Sequence, residues 1–225
     1  MKSINDYNET ANITGISGIF LFITTPITVI LYFMYSGVPP VWNVLLRTLV
    51  AMFSLLLALV FFTGFQHILK ILYKNNNWLI KLMYNTVCIY IAISFVARSL
   101  EAGGVFNTEG AAVDATQDGL LAQGNYLLLG SISRLLMATF MTLAGKMTLR
   151  ISIFPKWIGW LAIIIGGINL FFVPSMFFGT NAGDFYSAVG WGNSAFSASL
   201  FTLWILIMSI VLVRNRKREI IEGNL

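Results

Sequence analysis

Charge is what this sequence most lacks. Only 10% of its 225 residues are Asp, Glu, Lys or Arg, against roughly 25% in soluble domains. A soluble fold of this length needs a largely polar surface, and 14 basic and 9 acidic residues cannot provide one. The shortage excludes an ordinary soluble enzyme and a disordered chain. Cysteine is scarcer still. Cys88 stands alone, which excludes an internal disulfide and a secreted disulfide scaffold. His67 is the single histidine, so a haem held by two histidines within one chain is excluded, as is a His/Cys zinc site of the usual ligand count. No cofactor and no metal is expected. The N-terminal region also lacks a short apolar stretch followed by a small-residue cleavage site, so the first apolar stretch is expected to insert and remain.

What is there in quantity is apolar sequence, 57% of the chain. Six stretches are long enough to cross about 30 Å of hydrocarbon at about 1.5 Å per residue. They lie at about Ile13–Ser36, Trp42–Leu69, Trp78–Ser99, Asn125–Leu149, Lys156–Phe178 and Gly190–Val213. None shows the strict alternation of a barrel strand, so helices are the expected form. The expectation is an all-α, single-domain bundle of six transmembrane helices spanning residues 1–225. Leu100–Gly124 is the longest connection, acidic and glycine-rich.

The few charges are sorted. With six spans, the N-terminus, the second and fourth loops and the C-terminal tail share one side. That side holds Lys2, Lys70, Lys74, Lys81, Lys146, Arg150, Lys156, Arg214, Arg216, Lys217 and Arg218, eleven basic residues. The loops of the other side hold no basic residue and carry Glu101, Glu109, Asp114, Asp118 and Asp184. Basic loops stay in the cytoplasm, so both termini are expected there. Trp42 and Trp191 then mark the outer interface, and Trp78, Trp157 and Trp160 the inner one. The basic residues do not gather on a soluble face, and no nucleic-acid partner is expected. The tail Arg214–Glu219 reads as a topological anchor attracted to anionic inner-leaflet lipid.

Topology does not account for three arginines. Arg47, Arg98 and Arg134 fall inside spans, all in the outer half. Arg47 is about 7 Å deep and can snorkel to the surface. Arg134 is roughly 13 Å deep, where an arginine costs about 2.5–3.5 kcal/mol on insertion scales. Each has a polar neighbour about one turn away: Asn43 for Arg47, Glu101 for Arg98, Ser131 for Arg134. The start of the sixth span, Gly190–Ser199 (GWGNSAFSAS), is small and polar and includes Asn193; such residues let helices approach closely or leave room for a cavity. Two readings follow. The arginines bond backbone carbonyls and Glu101 and lock the bundle, the commoner fate of a lone buried arginine. Alternatively, Arg47, Arg98, Glu101 and Arg134, with Asn43, Ser131 and Asn193 as polar support, line an outward-facing cavity for an anion or phospholipid head group, to which the planar guanidinium fork is suited.

Other signals are weaker. Asp114–Asn125 has Asp, Thr, Asp and Gly at calcium-loop positions, but Asn125 stands where a bidentate glutamate belongs, so a solvated acidic loop is expected. His67 sits near the cytoplasmic end of its helix, where the few acids lie near the termini, so a Ser-His-Asp arrangement is hard to assemble. No Asp or Glu lies deep in a span, which argues against an intramembrane aspartyl protease and a carboxylate proton relay. Cys88 reads as a packing residue. Pro26 and Pro174 are expected to kink their helices, which serves gating less often than plain structure.

Two segments resemble a known family. YIAISFVARSLEAGGV, with Arg98 followed three residues later by Glu101, and MTLAGKMTLRISIFPKWIGWLAII, with Pro155, Lys156, Trp157, Gly159 and Trp160 opening a helix, resemble a family of bacterial six-helix membrane proteins known as domain of unknown function 4386. The resemblance implies a bacterial inner-membrane protein with no established activity. The expected function is a non-enzymatic, multi-pass inner-membrane protein whose partners are membrane lipids or an anionic or amphipathic small ligand. The alternatives are a small transporter or flippase subunit, with Pro26, Pro174 and the small-residue sixth helix as gates, and a membrane enzyme acting on a phosphate-bearing lipid through Glu101.

Overall fold

The computed structural model describes residues 2–35, 37–73, 77–106 and 121–222. The regular structure among those residues is all helical, with no strand among them. We number the helices α1 (Lys2–Phe33), α2 (Val41–Leu72), α3 (Asn77–Val105), α4 (Ala122–Arg150), α5 (Lys156–Phe178) and α6, a π-turn at Gly192–Phe196 that runs into Ser197–Glu222. All six are long and apolar enough to cross a membrane. The acidic calcium-loop-like stretch lies outside the described residues up to Leu120.

Each helix packs on the next in sequence, and α6 closes on α1, so the six form a ring. The ring's outside is apolar: Ile30, Phe53, Ile89, Leu135, Ile164 and Ile210 are all exposed. In water such a surface would be an aggregation liability; against hydrocarbon it is the expected face. Close approach within the ring depends on small residues. A Cβ on Gly145 of α4 would lie 2.6 Å from the Gly159 carbonyl oxygen of α5, which leaves no room for any side chain there.

The two ends of the ring differ. At the end holding both termini, Asp6 meets His67 (3.2 Å), the Tyr73 hydroxyl accepts from Arg150 (2.9 Å), and Asn215 donates to the Ile153 carbonyl (3.1 Å). We call this the terminal end and its opposite the loop end. Between the terminal end and the middle, the interior is filled by aromatic rings. Phe62 of α2 meets Phe140 of α4 at 4.8 Å between centroids and Phe201 of α6 at 5.9 Å. Trp204 of α6 packs edge-on to Phe65 (5.9 Å) and Phe140 (6.1 Å). Its buried indole N–H donates to the Ile158 carbonyl at 3.2 Å, which a buried tryptophan requires. Rings at these separations and tilts add to area burial.

The loop half breaks helical regularity three times. α4 passes through a π-turn at Leu128–Ile132, with Gly130 off helical geometry (φ −87°, ψ −112°). α5 tightens to a 3-10 turn at Val173–Phe178, with Pro174 near its start. α6 opens with its own π-turn. Gly130 has a steric reason: a Cβ there would lie 2.9 Å from the Ala188 carbonyl oxygen of the α5–α6 loop. Pro26 lies inside α1, where the hydroxyls of Thr24 and Thr25 both donate to the Leu21 carbonyl (2.8 and 3.1 Å).

One boundary differs from expectation in a way that matters. The sequence places the third span's end near Ser99 and Glu101 in the loop. The helix instead runs to Val105, and Glu101 is buried within it. The reason is pairing: its carboxylate is held by side chains of three helices, so it stays inside.

Candidate functional site

At the loop end the ring encloses a cavity of about 470 Å³. Side chains from α1, α2, α3, α4 and α6 line it, as do Gly37, Pro39 and Ala182 of the connecting loops. Its deepest lining includes Tyr90 and Phe201, which meet edge to face at 6.1 Å. Beyond them, toward the terminal end, lies the aromatic filling.

The helical period explains which residues reach it. On α3, Tyr90, Ser94, Arg98 and Glu101 recur every three or four residues and form one stripe facing the cavity. On α4, Asn125, Gly130, Ser133 and Arg134 reach the same space from either side of the π-turn. From α2 come Arg47 and Ser54, and from α1 Thr25, Thr28 and Tyr32.

Glu101 is the hub of one cluster. Its Oε1 accepts from Arg47 Nε at 2.9 Å, from Arg47 Nη2 at 2.8 Å and from the Tyr32 hydroxyl at 2.8 Å. Its Oε2 accepts from Arg98 Nη1 at 2.6 Å. Arg98 also donates to the Tyr32 hydroxyl oxygen. The Arg47 guanidinium lies over the Tyr32 ring at 4.2 Å from the centroid, a cation–π contact. The cluster joins α1, α2 and α3. It carries two positive charges and one negative.

Arg134 is placed differently. It donates to Asn169 Oδ1 of α5 at 3.1 Å and approaches Met137 Sδ at 3.4 Å. Its Nε has no hydrogen-bond partner. It is 5% exposed, and it has no carboxylate partner among the described residues. It lines the cavity that Arg47, Arg98 and Glu101 also line. The lining therefore bears three guanidinium groups and one carboxylate, a net charge of +2.

The other expected site residues divide. Asn193 lines the cavity, its amide donating to Ser175 Oγ (2.9 Å) and to the Ala188 carbonyl (2.8 Å). Asn43 does not line it: its amide donates to the Leu31 carbonyl at 3.1 Å, tying α2 to the end of α1 rather than supporting Arg47. Ser131 does not line it either. It falls within the π-turn, where the three-residue spacing that would align it with Arg134 no longer holds.

Tyr32, Ser94, Asn125 and Asn169 belong to the site and carry no charge to announce them. The signal for Ser94 was its place on the Tyr90–Arg98 stripe. For Asn169 it was an amide deep in an apolar helix, a residue type that needs a polar partner inside a membrane. Compared with protein-family models, with curated proteins and with solved structures, the chain finds no match.

Proposed function

We propose that this is a multi-pass bacterial inner-membrane protein, both termini in the cytoplasm, that binds an anionic amphiphile in a cavity opening toward the outer leaflet. The observation that carries the reading is Arg134: a cation buried against the cavity with no carboxylate partner among the described residues. A buried charge is normally paired, and the acid of a ligand in the cavity would supply the pair. The eleven-to-none division of basic residues supports the orientation. The cavity's size falls within the usual range of ligand sites, about 300–1,000 Å³. Its mixed wall, arginines beside Leu21, Leu55 and Phe201, suits a charged head on an apolar body. The likeness of the α3 end to the domain of unknown function 4386 family belongs to the same proposal and draws attention to Arg98 and Glu101.

The aromatic rings packed beyond Phe201 weigh against transport, since they fill the interior between the cavity and the terminal end. Glu101 is the only carboxylate lining it among the described residues and is engaged by three partners, which leaves an acid-base enzyme short of a free group. The test is binding of oleate and of dioleoyl phosphatidylcholine to the purified protein in neutral detergent, followed by native mass spectrometry. Oleate should bind and the zwitterion should not compete. Arg134→Gln should weaken oleate binding by about 10- to 100-fold, the worth of a hydrogen bond to a charged group. Equal binding by a folded Arg134→Gln protein refutes the reading.

A further inference from the structure

The ring closes where α6 meets α1, and the two halves of that seam differ. In the terminal half the helices touch through small residues. A Cβ added to Gly15 of α1 would run into Val213 of α6, and one on Gly18 into Ser209 and, at 3.0 Å, Ile205. Gly15, Gly18, Ile205 and Ser209 are buried there. Neighbours on one helical face recur every three or four residues. Followed at that spacing toward the loop end, the α6 face of Ser209 and Ile205 continues through Thr202, Ala198 and Ala195. The α1 face of Gly15 and Gly18 continues through Thr25, Val29 and Phe33. All six of these residues line the cavity. The faces that meet each other in the terminal half therefore border the cavity in the loop half.

Exposure shows that the cavity reaches the outside of the ring along this seam. Val29, Ala195 and Ala198 are half-buried, and Phe33 is 68% exposed. The neighbouring seams are tied at the same level. Ser54 of α2 bonds Thr24 of α1 at 2.7 Å, and Asn43 holds the Leu31 carbonyl at 3.1 Å. Asn193 of α6 reaches Ser175 of α5 at 2.9 Å. The α1–α6 seam carries no charge along these stretches. Its hydroxyls are turned back on their own helices, Thr25 to the Leu21 carbonyl and Thr202 to the Ala198 carbonyl, so it is apolar in effect. The guanidinium groups of Arg47, Arg98 and Arg134 come from α2, α3 and α4. The cavity thus has a charged wall and, in the membrane-facing ring, an uncharged side opening.

We propose that the ligand is a resident of the bilayer: an acidic lipid whose head faces the arginine wall and whose chain leaves the cavity sideways, between α1 and α6, into hydrocarbon. The proposal rests on the reading that the cavity takes an acidic amphiphile. It adds where the apolar body lies and that the ligand comes from the membrane. A small anion from water would pass the loop residues Gly37, Pro39 and Ala182 and leave the uncharged seam without an occupant.

The test is photocrosslinking of the full-length protein in vesicles of nineteen parts dioleoyl phosphatidylcholine to one part dioleoyl phosphatidic acid. The two lipids carry the same chains, so only the head distinguishes them. A benzophenone analogue of phenylalanine takes the place of Phe33 at the seam or, as a control, of Phe53, exposed on the outside of α2. Crosslinked lipid is identified by mass spectrometry. Phosphatidic acid should be captured at Phe33 about tenfold above its share of the bilayer, the lower end of the worth of a hydrogen bond to a charged group. At Phe53 it should be captured in proportion to that share. Ala198→Trp, which fills the seam, should return capture at Phe33 to the bilayer share; Val29→Trp fills it from the α1 side should Ala198→Trp fail to fold. Capture at Phe33 in bilayer proportion, in a protein whose oleate binding in detergent is weakened by Arg134→Gln, overturns the proposal and leaves the cavity reading standing. Enrichment at Phe33 that survives the tryptophan places the lipid outside the ring and also overturns it. Oleate binding untouched by Arg134→Gln removes the cavity reading and the proposal together.

Discussion

Replacing Glu101 with Gln should destabilise this protein more than any other single polar change at the loop end. The substitution keeps shape and volume and removes one charge. In the native chain that charge is shared by Arg47, Arg98 and Tyr32, with contacts of 2.6–2.9 Å. Arg47 and Glu101 have side chains only 5% and 4% exposed, so water cannot replace the lost partner. Removing one member of a buried pair costs about 3–5 kcal/mol, because the other charge is left uncompensated. Arg98 is more accessible, at 18%, and should contribute less than Arg47. At about 2–4 °C per kcal/mol for a chain of this size, Tm should fall by roughly 6–20 °C. The assay is thermal unfolding in neutral detergent, with Arg47→Met and the double variant completing a cycle. The double variant should be more stable than the sum of the single changes implies, because it removes the stranded charge. If the lone Arg47→Met and Glu101→Gln effects simply add, or if Glu101→Gln shifts Tm by under about 2 °C, the hub assigned to Glu101 is wrong.

Further outcomes follow from the same geometry. Trp204→Ala should lower stability by about 3–5 kcal/mol, read as Tm in detergent, since the indole is fully buried among Phe65 and Phe140 and satisfies its N–H on Ile158. Gly130→Val should displace the α5–α6 loop, because its Cβ would fall 2.9 Å from the Ala188 carbonyl; protease sensitivity near Asp184 should rise. Asp6→Asn should change Tm by under about 1 kcal/mol equivalent, since its contact with His67 is exposed. In a Cys88→Ala background, Asp184→Cys should react with a membrane-impermeant thiol reagent in spheroplasts, whereas Tyr73→Cys should react only after lysis. The reverse pattern would invert the proposed orientation.

The helices were legible because hydropathy is a property of long windows, and six windows stood clear of the rest. The site was legible only in part. Arginine in an apolar span is conspicuous, so Arg47, Arg98 and Arg134 stood out, but sequence assigns them a depth and not a direction. That two of them close on one carboxylate depends on Tyr32 and Arg47, which are 69 and 54 residues from Glu101. Sequence alone puts Glu101 in the loop, because a carboxylate is a poor membrane residue until its partners are known. The small, polar start of α6 suits either close approach or a cavity, and the structure holds both: a Cβ on Gly192 would lie 2.5 Å from the Phe185 ring, and Asn193, Ser194, Ala195 and Ala198 line the cavity. The π-turn in α4 left no comparable trace. One glycine in an apolar helix has many uses, and the contact that needs it comes from a loop nearly sixty residues on.

The distribution of irregularity is itself an argument for where function lies. Sequences that specify a fold obey local rules almost everywhere, and exceptions concentrate where function demands them. The terminal half has a regular backbone and an aromatic, closely packed interior with the Trp204 N–H satisfied, and its unsatisfied buried atoms, Asn8 Oδ1 and Thr14 Oγ1, carry no charge. The backbone exceptions and the buried charges among the described residues lie in the loop half. Two π-turns, a 3-10 ending and a cation without a carboxylate partner among the described residues border or line one cavity. A buried charge without a partner is costly, and ring closure does not need one, since the terminal half packs without a buried charge among the described residues. A bundle selected only for stability would place leucine at Arg134. Retaining the arginine is intelligible if the cavity is filled in use, because an anionic ligand that pairs it returns that cost as binding free energy.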